Sequence, residues 1–301
     1  MAPRTAYGTL GAGHNSKQSM NVLSIQSAVT YGHVGNSAAV FALQRLGHDA
    51  WPLDTVQYSN HPGHGAWQGQ TVDAGLLRML LDGLDGHGVL GHCDAVLSGY
   101  LGTAENGAVA LDAVARVRAA NSDALYCCDP VIGNARKGRF VPEAVADFIA
   151  RRALPQADIL VPNQFELGLL TGVEIADAAA ARDAARSLTA PVVVTTGLRR
   201  GDRIGVLACA EAGNGESGAW LVETPFLDGV TDDGAGDLLS ALFLGRYLRD
   251  RAVVPALEDA AAATFAVIAA TQAAGADELC LVAAQDQMTA PTRRFTAAPL
   301  P

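Results

Sequence analysis

The chain has 301 residues, and 21 Lys and Arg against 31 Asp and Glu leave a net charge of −10. Half of the residues are hydrophobic and only 17% are charged, which excludes a disordered chain, whose mark is low hydrophobicity with high net charge. The acidic balance argues against a dedicated nucleic-acid binder, which needs a basic stripe to neutralise phosphates; the densest basic clusters are the pairs Arg151-Arg152, Arg199-Arg200 and Arg293-Arg294.

Residues 1–19 hold Gly, Ser, His, Asn and scattered basic residues without the apolar core of a signal peptide. They read as a disordered extension before one domain over 20–301. From there short β-rich runs alternate with helical patterns. Asn21–Gln26 predicts a strand, Asn36–Leu46 a helix ending at Gly47, and Ala50–Val56 a strand. Thr71–Leu84 has helical spacing at Leu76, Leu77, Leu80, Leu81 and Leu84. Ala95–Ser98, Ala124–Cys128, Asp158–Val161 and Pro191–Thr196 follow as strands. Ala104–Ala120, Pro142–Arg152 (with Pro at its first position), Asn163–Leu170 and Ala176–Leu188 are the helices between and after them. Such alternation predicts an α/β fold, a mostly parallel sheet with helices on both faces.

After Thr196 the rhythm changes. Ile204–Ala210 and Ala219–Glu223 read as antiparallel neighbours around a Gly-rich turn at 213–218. A helix from Gly234 to about Leu248, an Ala-rich helix over Leu257–Ala273 and an apolar run at Leu279–Ala284 complete the chain. No stretch approaches the ~20 uninterrupted apolar residues that span a bilayer. Ala261–Ala274 comes nearest and, broken by Thr264 and Thr271-Gln272, reads as a buried helix. The cysteines, Cys93, Cys127, Cys128, Cys209 and Cys280, are odd in number and contain no CxxC. They read as reduced core residues of a cytoplasmic protein.

Several segments can carry chemistry. In Asp232-Asp233-Gly234-Ala235-Gly236-Asp237, two glycines free the backbone to turn just before a helix. Helix-start N–H groups lack internal partners and can hold an anion, and Asp237 then sits where it could take a proton from an attacking hydroxyl. A simply capped helix start is the alternative. Neither GxxxxGK[ST] nor a strand-to-helix GxGxxG occurs, so P-loop and dinucleotide-binding readings lose their support. Asp129 ends a buried strand, where open α/β sheets place ligands, and suits a hydrated Mg²⁺ beside phosphates; an Asp-Pro turn is the alternative. Glu166, three residues after Asn163, can share that metal or close a capping box. Tyr58, His61 and Pro62 lie in a Gly-rich loop suited to a flat aromatic ligand or to a bland surface. Ser27, Tyr100, Asp129, Asn163, Glu166, Thr195 and Thr196 all fall at predicted strand C-termini, which a parallel sheet brings to one edge.

Read in order, VLSIQS (22–27), GHVGNSAA (32–39), TVQYSNH (55–61), CDAVLSGYLG (93–102), CDPVIG (128–133), PNQFE (162–166), GAGDLLSAL (234–242) and LVAAQDQM (281–288) resemble the pyridoxal kinases of the ribokinase-like superfamily. The GYLG and VAAQD segments look most like the bacterial form. The resemblance implies a single ribokinase-like kinase domain that phosphorylates the 5′-hydroxymethyl of pyridoxal from ATP. Asp237 would be the general base, and the N–H groups of Gly234, Ala235 and Gly236 an anion hole. Asp129 and Glu166 would handle Mg²⁺ through water. Ser27 would bond the pyridine ring, with Val34, Tyr58 and Tyr100 as walls and His61 and Pro62 in the substrate loop. Asn163, Thr195, Thr196, Phe226 and Leu227 would lie near ATP. The resemblance also implies a homodimer and stimulation by K⁺. Pro62 departs from a Thr common in the family, Ala235 from another Thr, and a Lys found near Thr195 in some bacterial members is absent. Asp228, Asp232 and Asp233 stand where members often carry a basic residue. The rival readings are a hydroxymethylpyrimidine kinase of the same superfamily, which often has Cys in place of Asp237, and a non-catalytic pyridoxal-binding homologue.

Overall fold

The structure, a computed structural model, describes residues 19–211 and 217–301. The extension expected over 1–19 lies outside these residues except for Ser19, as does most of the Gly-rich turn at 213–218. In chain order the elements are β1 (Asn21–Tyr31), α1 (Asn36–Arg45), β2 (Asp49–Asn60), β3 (Gly69–Thr71), α2 (Ala74–Gly86), β4 (Ala95–Ser98), α3 (Ala104–Ala120), β5 (Leu125–Cys128), β6 (Gly133–Asn134), β7 (Gly138–Arg139) and α4 (Glu143–Phe148). Then come β8 (Ile159–Leu160), α5 (Gln164–Thr171), α6 (Ala178–Arg186), β9 (Val192–Arg200), β10 (Arg203–Ala210), β11 (Gly218–Pro225), α7 (Ala235–Asp250), α8 (Val253–Ala274), α9 (Gln285–Thr289) and β12 (Ala298–Pro299).

Successive side chains of a strand point to opposite faces, and here each face buries its own set. Leu23, Ile25, Val96, Tyr126, Leu160 and Val193 join the core under α2–α6. Their neighbours Val22, Ala95, Leu97, Ile159, Val192 and Val194 join the core under α1 and α7–α9. Strands buried on both sides need apolar residues at nearly every position, as in a parallel sheet covered by crossover helices. The sheet order is β12-β11-β10-β9-β8-β5-β4-β1-β2-β3. The run from β2 through β9 is parallel. β10 and β11 pair antiparallel, as the changed rhythm after Thr196 predicts; the short β3 on one edge and β12 on the other add antiparallel strands that the sequence pattern does not announce.

Three boundaries differ for physical reasons. β1 and β2 run on to Tyr31 and Asn60, because past an irregularity between Gln26 and Ala28 their backbones keep pairing. α8 begins four residues before Leu257, since Pro255 falls in its first turn, where a missing N–H costs nothing. At 22 residues α8 is long and apolar enough to cross a bilayer by length and composition. It nevertheless carries Glu258 and Asp259 and buries Ala256, Leu257, Ala260 and Val267 against the sheet and α7. Pro142 is the N-cap of α4 rather than its first residue, and the helix continues as a π turn over Ile149–Ala153. All five cysteines are unpaired and four are buried.

Candidate active site

The chain leaves β1 to one side for β2 and returns to its other side for β4, so the C-terminal ends of the strands open at a switch point, where open α/β sheets bind ligands. A cleft of about 1050 Å³ lies there. Ser27, Val34, Tyr58, His61, Pro62 and Tyr100 line it, together with Asp129, Asn163, Glu166, Thr196, Phe226, Leu227 and the whole stretch Gly234–Asp237. Thr195 does not. It is fully buried, and its Oγ1 has no hydrogen-bond partner among the described residues. Only Thr196, one residue on and facing the opposite way, reaches the cleft.

Two close backbone approaches fix Asp237. Gly234, at φ 88°, caps α7, and a Cβ there would fall 2.0 Å from the His33 carbonyl oxygen. Gly35, at φ 55°, caps α1 and donates its N–H to Asp237 Oδ2 at 2.8 Å. The loop after β1 and the start of α7 are thereby docked together. The expected anion hole needs one correction: the Ala235 N–H already donates to the Asp232 carbonyl at 3.0 Å. The Gly236 and Asp237 amides, by contrast, have no acceptor among the described residues, and these carry the helix-start charge.

Two further carboxylates stand near. Asp129 Oδ2 accepts the Ser240 hydroxyl at 2.7 Å, and Ser240 lies one turn beyond Asp237. Glu166 Oε1 accepts the Ile132 and Gly133 N–H groups at 2.9 and 3.2 Å, while Oε2 accepts that of Asn163 at 2.9 Å. Asn163 in turn accepts the Glu166 N–H, so the capping box and the site use the same side chain. Burial raises Asp129 well above the carboxylate range, and the charges of Glu166 and Asp237 add to it. Burial pushes Glu166 up to about 7, against the pull of its three N–H donors. Asp237 is raised as well, chiefly by burial, with the Gly35 N–H opposing. Such crowding is what a divalent cation relieves. Among the described residues no three His, Cys, Asp or Glu side chains stand close enough to hold an ion directly. The donor set therefore fits a hydrated ion bound through water and phosphate oxygens, as Mg²⁺ prefers.

Glu166 gives a pH prediction. Its folded pKa lies above the ordinary 4.5, so its contribution is complete below that value and is lost as pH rises through about 7. Denaturant unfolding should show the wild type losing roughly 1–3 kcal/mol relative to Glu166→Gln across that window. A flat or rising difference would contradict the burial argument.

The loop after β2 is tied down by polar contacts with carboxylates. His61 Nδ1 lies 3.2 Å from Asp233 Oδ2, and His64 Nε2 3.1 Å from Glu278 Oε1. From the β6–β7 hairpin, Lys137 Nζ reaches Asp233 Oδ1 at 3.1 Å, and Arg136 lies 3.4 Å from both Asp232 and Asp233. Arg199 stacks over the Phe226 ring at 3.2 Å. Tyr58 packs on Trp67 at 4.3 Å.

A family model described as phosphomethylpyrimidine kinase matches residues 90–280. A pyridoxal kinase PdxY from Rubrobacter xylanophilus is 48% identical over 92% of this chain and 96% of its own. One from Deinococcus radiodurans is 46% identical, over 92% and 95%. The chain belongs to the pyridoxal kinase family. A solved pyridoxal kinase from Leishmania donovani, in complex with ADP and pyridoxamine, superposes at a TM-score of 0.86 with 29% identity, covering 93% of this chain and 99% of that one.

Within this pyridoxal kinase family member, sequence reasoning missed Gly35, Ser240, Arg136, Lys137 and Arg199. Ser240 follows Asp237 by three residues, so helical spacing alone could have put it on the same face. Lys137 sits in a Gly-flanked basic run, Ala135-Arg136-Lys137-Gly138, just past Asp129, and that run was the available signal. The Lys absent near Thr195 has cationic counterparts in Arg199 and in this hairpin, all lining the cleft.

Proposed function

We propose that the chain transfers the γ-phosphoryl group of ATP to the 5′-hydroxymethyl of pyridoxal, forming pyridoxal 5′-phosphate, with Mg²⁺ as the divalent ion. The observation that carries this is Asp237, half-buried at the cleft floor, oriented by the Gly35 N–H and set beside two unpartnered helix-start amides. Relatives named pyridoxal kinase and a structural neighbour holding ADP and pyridoxamine support the substrate pair.

Asp237 takes the hydroxyl proton as the oxygen attacks. A carboxylate raised above its ordinary range is the stronger base, provided it is ionised. The Gly236 and Asp237 amides face the charge that grows on the transferring group, and they need not reorganise as it forms. Ser27, Val34, Tyr58 and Tyr100 hold the pyridine ring. Tyr100 is fixed through its own backbone, whose carbonyl accepts the Thr55 hydroxyl at 2.6 Å. Phe226, Leu227 and Thr196 border the nucleotide. Asp129 and Glu166 would hold a hydrated divalent ion through its waters, and that ion would neutralise phosphate charge.

The hydroxymethylpyrimidine reading draws on the description of the matching family model. The curated relatives at 42–48% identity carry the pyridoxal kinase name, and Asp237 with the Ser59-Asn60-His61 loop favours pyridoxal. The exposed Leu76, Met79 and Leu80 on α2 support a homodimer, and the unpaired cysteines a reducing, cytoplasmic setting; K⁺ stimulation rests on the resemblance alone. The test is ATP consumption by purified protein, with pyridoxal, pyridoxine, pyridoxamine and hydroxymethylpyrimidine offered separately. Pyridoxal should turn over with Mg²⁺ and stop in excess EDTA. Turnover with the pyrimidine alone would move the substrate. Pyridoxal binding without any turnover would point to a carrier.

A further inference from the structure

The nucleotide is strongly anionic, and the cleft it would enter is rich in carboxylates: Asp129, Glu166, Asp232, Asp233 and Asp237 all line it. The Arg and Lys side chains lining it are Arg136, Lys137 and Arg199. Arg199 is engaged, stacked over Phe226 while its Nε donates to the Gly201 carbonyl at 2.6 Å. That leaves Arg136 and Lys137, and both are parked on acidic side chains.

We propose that Asp233 occupies the place of a nucleotide phosphate, holding Lys137 and Arg136 at the mouth of the α7 anion site until ATP displaces it and takes both cations. Three observations lead there. Asp233 directly precedes Gly234, so the Lys137 ammonium 3.1 Å from its carboxylate stands beside the helix-start amides. His61 Nδ1 also lies 3.2 Å from Asp233, so the side chains a phosphate would meet gather around one carboxylate. The contact is close-packed: a Cβ on Gly63 would lie 2.9 Å from Asp233 Oδ2. Burial alone would raise Asp233, but the His61 hydrogen bond and the Lys137 charge hold it below the usual carboxylate range, so it stays anionic. Asp233 is thus a positioning residue that competes with the nucleotide, and the acidic stretch before Gly234 sets nucleotide affinity.

The proposal rests on the reading of this cleft as a nucleotide site, and the test separates the two. Mg·ADP binding is measured by calorimetry for wild type, Asp233→Asn, Lys137→Met and the double variant, at low and high salt, with thermal melts as a check on folding. Asp233→Asn should bind about tenfold more tightly at low salt, since a charge-assisted contact no longer has to be broken. The gain should shrink at high salt, as exposed charges are screened. Lys137→Met should weaken binding about tenfold, and in that background removing Asp233 should gain much less. Should Asp233→Asn fold poorly, the Lys137→Met arm still decides, because the hairpin lysine must matter to ADP. Unchanged or weaker binding by folded Asp233→Asn, an equal gain in both backgrounds, or no effect of Lys137→Met would overturn the proposal. A wild type that binds no Mg·ADP would overturn the nucleotide-site reading and this proposal with it.

Discussion

Asp237→Asn is expected to lower kcat by roughly 10²–10⁴-fold, the usual worth of a positioned general base. An amide has nearly the shape of the carboxylate, and its oxygen can still accept the Gly35 N–H now 2.8 Å from Oδ2. The docking of α7 onto the loop after β1 therefore survives, and only proton acceptance is lost. KM for both substrates should move little, because the cleft walls and the helix-start amides are untouched. The substitution also removes a charge that pushes the buried Asp129 and Glu166 upward, so the variant should melt no lower than wild type above neutral pH. Steady-state kinetics and a thermal melt on the same preparation check both statements. A near-normal kcat would remove Asp237 from the chemistry and shift attention to positioning alone.

Gly234→Ala should be nearly as damaging by a different route. At φ 88° a side chain is strained, and the new Cβ would meet the His33 carbonyl oxygen at 2.0 Å, well inside contact distance. The start of α7 must back away from the loop after β1. That stretches the Gly35–Asp237 hydrogen bond and tilts the free amides. A displacement of about 1 Å at reacting groups costs on the order of 10² in rate, and the strained backbone about 1–3 kcal/mol in stability. The expected result is a drop in kcat/KM together with a lower melting temperature. Gly236→Ala is the control for folding: a Cβ there meets nothing within 4 Å, and the melting temperature should be largely kept. Equal melting temperatures for the two alanines would show that the close approach at His33 does not dock α7 onto the loop after β1.

Much of this site could be read from the chain because its chemistry sits where strong periodic elements end. Asp129 follows a strand whose last three residues are buried, Glu166 a capping signal, and Asp237 a glycine pair before an apolar helix. What stayed hidden has local causes. Thr195 and Thr196 differ by one residue, and in a strand one residue decides which face a side chain takes; no pattern in the two hydroxyls distinguishes them. Strands β6 and β7 have two residues each, too short for any period, so Lys137 and Arg136 could not be placed near Asp233. The Ala235 amide was spent on a turn with Asp232, a hydrogen bond between backbones that no side-chain motif announces. The far ends of β1 and β2 are held by pairing rather than by apolar alternation, so their extension to Tyr31 and Asn60 was invisible.

On the function proposed above, Glu166 makes the folding of α5 and the handling of phosphate depend on one carboxylate. Its oxygens close the cap of a helix and tie down the chain at Ile132 and Gly133 while facing the cleft. Random mutagenesis scored by growth would find this position intolerant and would not distinguish a lost ligand from an unravelled helix. Evolution meets the same wall: a change in metal preference cannot begin here without dismantling the scaffold. Asp129, held by the single Ser240 hydroxyl, is the freer of the two, and divergence in ion use among related chains should be sought there first.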